Sequence, residues 1–240
     1  MISSAMKSPA LRFAGGVRFP TPYTSCKLWA PGQDDAPSTT IRDKSGNNNN
    51  GTINGATWVK WNTGTWTLDL DGNDWVNFGS GFPPGSADFT VLLWIRMEGA
   101  GGTAAHFFSE YDNVANNINA IYKDATDKFL FVGRDSGADV ASATSITTCL
   151  QNVWYCVGGT RSVNTFSIYV YGVSEASTTN NLVGSVTSTT GVYIMGADNN
   201  QAARSAFFNG KMALALWAPS AWSSSQMAGW YQQTRVLFGV

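Results

Sequence analysis

The chain has 240 residues, a net charge of -1 and only 13% charged residues, so it carries no basic cluster suited to a nucleic-acid backbone. Its aromatic stock, 10 Trp, 13 Phe and 8 Tyr, is enough for one large core, and this length suits a single all-β domain. The longest apolar run, Met212 to Ala218, is too short to cross a bilayer, so membrane insertion is not expected.

The first 25 residues stand apart. Pro9, Pro20 and Pro22 punctuate them, Arg12 and Arg18 sit among apolar residues, and no periodicity is sustained. This predicts an extended N-terminal arm over 1–25 and one domain over 26–240. An arm of this composition needs a surface to hold it, either its own domain or a neighbouring subunit. Met1 to Pro9 lacks the continuous apolar segment of a secretory signal, which points to synthesis in a cytoplasm.

From residue 26 the pattern is strands and turns. An Asn- and Gly-rich turn, Asp43 to Thr52, feeds a strand. Trp66, Leu68 and Leu70 then alternate with polar residues, the period of a half-buried strand, and Asp71-Gly72 supplies a hairpin signal before Trp75 and Val76. Phe89 to Arg96 is apolar on both faces, as in a central strand. Phe129–Val132, Trp154–Val157, Phe166–Tyr171, Val192–Met195 and Met212–Trp217 continue the series, with turn residues between them. Many short strands so separated predict a sandwich or jelly roll. Near the end, Ser223 and Gln226 fit a capping box, which predicts one helical turn before Met227 and Trp230. The three cysteines, Cys26, Cys149 and Cys156, are an odd count that argues against a disulfide framework. Cys149 and Cys156 flank a turn and could pair, but buried free thiols are the expectation.

Several of these segments, in order, resemble the laminin G-like domains of the concanavalin A-like lectin/glucanase superfamily. They are Asp43–Thr52, Leu68–Val76, Asp88–Trp94, Asn152–Val157 with Thr160 and Phe166–Gly172, and Phe208–Met212 with Trp217. The resemblance covers about residues 26–230. It implies an all-β, two-sheet antiparallel jelly-roll sandwich and a superfamily whose members are mostly non-catalytic binders of glycans or proteins. It also implies a structural calcium ion, with Asp43 at the first ligand position and oxygens near Asn48 and Asn50. Where the family commonly carries acids on the last strand, this chain has Ala213 and Leu214. A calcium site and a turn that simply hydrogen-bonds itself both remain open readings of Asp43.

Catalysis has little to build on. Glycosidases of the superfamily need two carboxylates across a cleft, and the three glutamates, Glu98, Glu110 and Glu175, form no such motif. Glu110-Tyr111-Asp112 is the nearest pair and reads as a solvated loop. His106 has no nucleophile motif beside it and anchors no zinc site alone. No enzyme is expected. Glycan binding instead needs aromatic platforms with amide and hydroxyl partners. Trp66 fits the core, whereas Trp58 and Trp61 do not fit a strand period. Trp230 and Tyr231, beside Trp222, form a second aromatic set that either packs the C-terminal turn or offers a platform. The Asn-rich stretches at 113–119, 180–181 and 199–200 could supply amides. The expected ligand-binding residues are therefore Trp58, Trp61, Trp230 and Tyr231.

The expected role is a non-catalytic structural or attachment protein, such as a virion surface decoration or fibre-associated subunit. It would dock on neighbouring subunits through the arm, work as part of an oligomer or extracellular assembly, and bind glycans as further ligands. The alternative is a soluble lectin-like carbohydrate-binding module, with a glycosidase a distant third.

Overall fold

The computed structural model describes residues 26–80, 87–112, 117–135, 138–180, 192–198 and 204–240, together with the backbone of two dipeptides before them. Those two, β1 (Leu11–Arg12) and β2 (Arg18–Phe19), pair antiparallel. The remainder of the predicted arm over 1–25 lies outside the described residues. The other strands are β3 (Leu28–Ala30), β4 (Thr40–Ile41), β5 (Gly51–Asn54), β6 (Thr57–Lys60), β7 (Trp66–Asp71), β8 (Trp75–Gly79) and β9 (Phe89–Met97). Then come β10 (Ala105–Asp112), β11 (Asn117–Lys123), β12 (Lys128–Asp135), β13 (Ala138–Thr148), β14 (Trp154–Ser162) and β15 (Thr165–Val170). The series ends with β16 (Val173–Thr179), β17 (Val192–Met195), β18 (Asn209–Ala218) and a helix, α1 (Ser224–Thr234).

Two antiparallel sheets face each other. One runs β13-β12-β11-β10-β17-β8-β5-β4, the other β16-β15-β14-β9-β18-β7-β6 with β3 added to β18. This is the jelly-roll sandwich expected from the sequence. The main core lies between the sheets, where Val76, Phe78, Leu68, Leu70, Phe89 and Trp217 are buried. In β8 burial alternates, so Val76 and Phe78 turn inward while Trp75 and Asn77 do not. The central strand β9 is buried along both faces, because its outer face is covered as well.

That cover is α1, which lies over the second sheet and buries Met227, Trp230 and Thr234. Their spacing of three and four residues keeps one face of the helix on the sheet. The helix runs 11 residues, longer than the single turn read from the sequence, and Ser223 with Gln226 forms the predicted capping box. β14 carries two adjacent glycines, Gly158 and Gly159, beside the packed Trp154 and Cys156. A Cβ on Gly158 would lie 2.3 Å from the Leu92 side chain, and one on Gly159 would lie 2.6 Å from the Phe131 ring. Side chains there would push away the packing on both faces.

All three cysteines are free and buried, as expected. Burial pushes the Cys26 and Cys149 thiols up to about 12, so neither supplies a thiolate near neutral pH. The reading of Glu110-Tyr111-Asp112 as a solvated loop needs correction. All three belong to β10, which pairs with β11 on one side and β17 on the other. The Glu110 side chain is 0% exposed and accepts a hydrogen bond from Asn119 Nδ2 at 2.7 Å. Asn119, expected in a loop, is likewise buried in β11.

Candidate functional site

At the lateral edge of the sandwich the chain crosses from β5, in the first sheet, to β6, in the second. Gly55 makes the crossing at φ 86°, in the left-handed region that favours glycine. A Cβ on Gly55 would also fall onto the Asp74 carboxylate, which holds the neighbouring hairpin by accepting from the Asp71 amide at 3.0 Å. The crossing and the segment before β4 are tied together across it. Ile53 N donates to Thr39 O at 2.8 Å, and Trp58 Nε1 donates to Ser38 O at 2.7 Å.

These ties leave an open groove of about 360 Å³, lined by Pro37, Ser38, Thr39, Ile53, Gly55, Ala56, Thr57 and Trp58. Its volume falls at the lower end of the range for small-ligand sites, roughly 300–1,000 Å³. Its chemistry is an indole and a proline ring beside three hydroxyls, with no charged residue in the lining. Trp58 is half-buried, and its ring packs on Gly32, where an added Cβ would come within 2.8 Å of the indole.

The other predicted aromatic residues lie elsewhere. Trp61 follows the end of β6 and packs edge-on against Trp154 at 5.4 Å, with the Arg96 guanidinium 5.0 Å from its ring. Its Nε1 donates to Phe238 O at 3.4 Å, so it belongs to the helix-covered side of the second sheet. Tyr231 stacks on Trp94 at 6.0 Å and meets Tyr171 at 5.5 Å. Trp230 is corrected outright: it is 0% exposed, wedged edge-on against Trp29 at 5.2 Å and Trp222 at 6.0 Å, and presents no ring face to a ligand. Of the four, only Trp58 lines the groove.

Asp43 is saturated by its own turn and by β3. Its Oδ1 accepts from Trp29 N at 2.9 Å and Ser45 N at 2.8 Å, and its Oδ2 accepts from Ser45 Oγ at 2.7 Å and Asn49 N at 2.9 Å. Asn50 Oδ1 accepts from Asp43 N at 2.9 Å, and Asn48 Oδ1 accepts from Asn50 Nδ2 at 3.0 Å. The Asp43 carboxylate expected to ligate calcium, and the Asn48 and Asn50 side-chain oxygens, are thus spent on hydrogen bonds to the turn and to Trp29 N of β3. Ala213 and Leu214, at a bulge in β18, add no carboxylate. The donor set fits a self-bonded turn better than an oxygen cage for a hard cation. Adding calcium, or chelating it, is expected to leave the melting temperature unchanged in calorimetry. A rise of several degrees with calcium would show that the turn opens to hold the ion.

His106 stacks on Tyr122 at 4.7 Å, with Nδ1 3.7 Å from Asp198 Oδ1. Burial pushes its pKa down, against the pull of Asp198 and with a further push from Arg134. What the sequence reading missed was the opposite wall of the groove. Pro37, Ser38 and Thr39 lie some twenty residues before Trp58. Pro37 and Gly55 are the residue types that could have marked the segments that meet, but neither was read as a turn from the sequence.

With this geometry in hand, comparison with known proteins places the chain. A laminin G family model, described as the Concanavalin A-like lectin/glucanases superfamily, matches residues 70–227. No curated protein sequence matches the chain. Among solved structures, the binding domain of Paraclostridial Mosquitocidal Protein 1 aligns with a TM-score of 0.66 at 15% identity, over 86% of this chain and 52% of that one. Domain 4 of AbnA, a GH43 extracellular arabinanase from Geobacillus stearothermophilus in complex with arabinotriose, aligns with a TM-score of 0.68 at 17% identity, over 87% of this chain and 100% of that one. A Trypanosoma rangeli sialidase mutant with trans-sialidase activity aligns with a TM-score of 0.66 at 12% identity, over 88% of this chain and 33% of that one. The chain thus spans about half of the mosquitocidal protein's binding domain and a third of the sialidase, and likeness at these identities speaks for the fold alone. Matched over well more than half of its length, the chain belongs to the concanavalin A-like lectin/glucanase superfamily as a laminin G-like domain.

Proposed function

We propose that this protein is a non-catalytic attachment module that binds glycans in the groove beside Trp58. The groove carries the reading: it sets an indole and a proline ring next to the hydroxyls of Ser38, Thr39 and Thr57, the combination that grips the apolar face and the rim of a sugar. Two of the structurally similar chains are a toxin binding domain and an arabinanase domain solved with arabinotriose, which supports a binding role. The absence of catalysis is part of the proposal. No carboxylate lines the groove, and Glu110 faces the interior beside Asn119.

The wider role we propose is in an assembly, such as a virion surface decoration or fibre-associated subunit. There the protein works outside the cell and is held to neighbouring subunits through residues 1–25. The proline-punctuated composition of that segment supports this, since such arms order on a partner surface. A soluble lectin-like module is the second reading, favoured by the groove alone.

Two measurements test these parts. On a glycan array the full chain is expected to retain at least one ligand, and Trp58→Ala to weaken it by about tenfold or more, with circular dichroism confirming the fold. An array signal that Trp58→Ala leaves untouched would remove the groove from the argument. Light scattering of the full chain beside a version lacking residues 1–25 tests the assembly role. An oligomer that the truncation reduces to a monomer is the expected result, whereas two monomers would favour the lectin-like reading.

A further inference from the structure

Resting on the reading of the Trp58 groove as a glycan site, we infer that its ligand is a neutral saccharide, one without carboxylate, sulfate or phosphate. None of the eight lining residues is charged, so hydrogen bonding there falls to hydroxyls and backbone groups. The charge just behind the lining is negative. The Asp74 carboxylate lies so close behind Gly55 that a Cβ there would come within 1.8 Å of its Oδ1.

Asp34 and Asp35, which precede the Pro37 wall, and the cations beside them cancel one another. Arg42 pairs with both Asp34 and Asp35, Lys44 pairs with Asp34 at 3.1 Å, and the Lys60 ammonium sits 5.7 Å from the Trp66 ring. An anionic sugar entering the groove would lose hydration and find the Asp74 carboxylate rather than a counter-charge. A neutral ring loses only hydroxyl hydration, which Ser38, Thr39 and Thr57 can replace, while its C–H face lies on Trp58 or Pro37. The wall therefore selects by exclusion as much as by attraction.

Titration calorimetry on the full chain tests this with paired probes, lactose against 3′-sialyllactose and arabinotriose against trigalacturonate, at low and raised salt. The expected result is that at least one neutral probe binds with little salt dependence and its acidic counterpart binds about tenfold weaker or less. An acidic probe bound as tightly as its neutral partner, and lost in Trp58→Ala, overturns this inference and leaves the site standing. Binding by no probe, or binding that Trp58→Ala does not change, removes the site itself. Thr57→Lys supplies a variant that spares the core, because Thr57 is exposed on the groove wall. It is expected to raise affinity for the acidic probe about tenfold and, since a groove hydroxyl is lost, to weaken the neutral probe. No gain for the acidic probe in that variant would also overturn the inference.

Discussion

Replacing Trp230 by alanine is expected to destabilise the protein by about 3–5 kcal/mol, while Trp230→Phe costs about 1 kcal/mol or less. The indole is 0% exposed beneath α1 and packs edge-on against Trp29 and Trp222. Deleting it opens a cavity lined by large rings, and a close-packed interior lets such rings collapse inward only in part. Phenylalanine keeps most of the apolar surface. It also removes a buried donor, since Trp230 Nε1 has no hydrogen-bond acceptor among the described residues, and that gain offsets part of the lost volume. In a chain of this size the alanine variant should melt roughly 10 °C lower. Equal losses in the two variants would mean that phenylalanine cannot fill the space of the indole, and that the indole's shape carries the energy. Unchanged stability in the alanine variant would mean that the helix does not seal the sheet, and Trp230 would return as a candidate ligand platform.

That outcome also separates what the sequence could show from what it could not. The run Phe89–Arg96 announced a strand buried on both faces because both faces of β9 are in fact covered, by the opposite sheet and by α1. The capping box at Ser223 was readable because it is written within four residues. Trp230 was ambiguous for the opposite reason. Whether a ring on a terminal helix is a platform or a plug depends on the surface under it, here Trp29 and Leu92, which lie far away in sequence. Trp58 and Trp61 looked alike three residues apart, yet β6 ends between them at Lys60, and they go to different places. β10 hid itself by a bulge between His106 and Phe108, which breaks the alternation just before Glu110. The groove was least legible of all. Its two walls come from separate segments, joined by the crossing at Gly55 and by the hydrogen bonds from Ile53 N to Thr39 O and from Trp58 Nε1 to Ser38 O.

The second large effect is expected at a buried lysine. Lys123, at the end of β11, has a side chain that is 0% exposed. Its Nζ donates to the Asp127 carboxylate and to the carbonyls of Thr103 and Asp124. Asp127 in turn accepts from Gly102 N at 3.1 Å, while its own carbonyl accepts from Cys149 N at 2.7 Å, so one turn ties together three stretches of chain. Asp127 sits at φ 61°, a conformation that asparagine tolerates as readily, so Asp127→Asn removes the charge with little change to the backbone. An exposed ion pair lost this way costs about 0.2–1 kcal/mol. Here the lysine stays buried without its counter-ion, and the expected cost is about 3 kcal/mol in denaturant unfolding. Lys123→Met with Asp127→Asn should recover most of it, because a methionine has no charge to leave stranded. The pH dependence carries the same sign. Lys123 holds the Asp127 carboxyl below its ordinary range, so this stabilisation is complete above the usual aspartate pKa and fades as pH falls through and below it. The Asp127→Asn variant should therefore lose less stability than the wild type on acidification. A single-variant cost under about 1 kcal/mol, or a double variant no better than the single, would show that solvent reaches Lys123 and that the pair is only a surface contact.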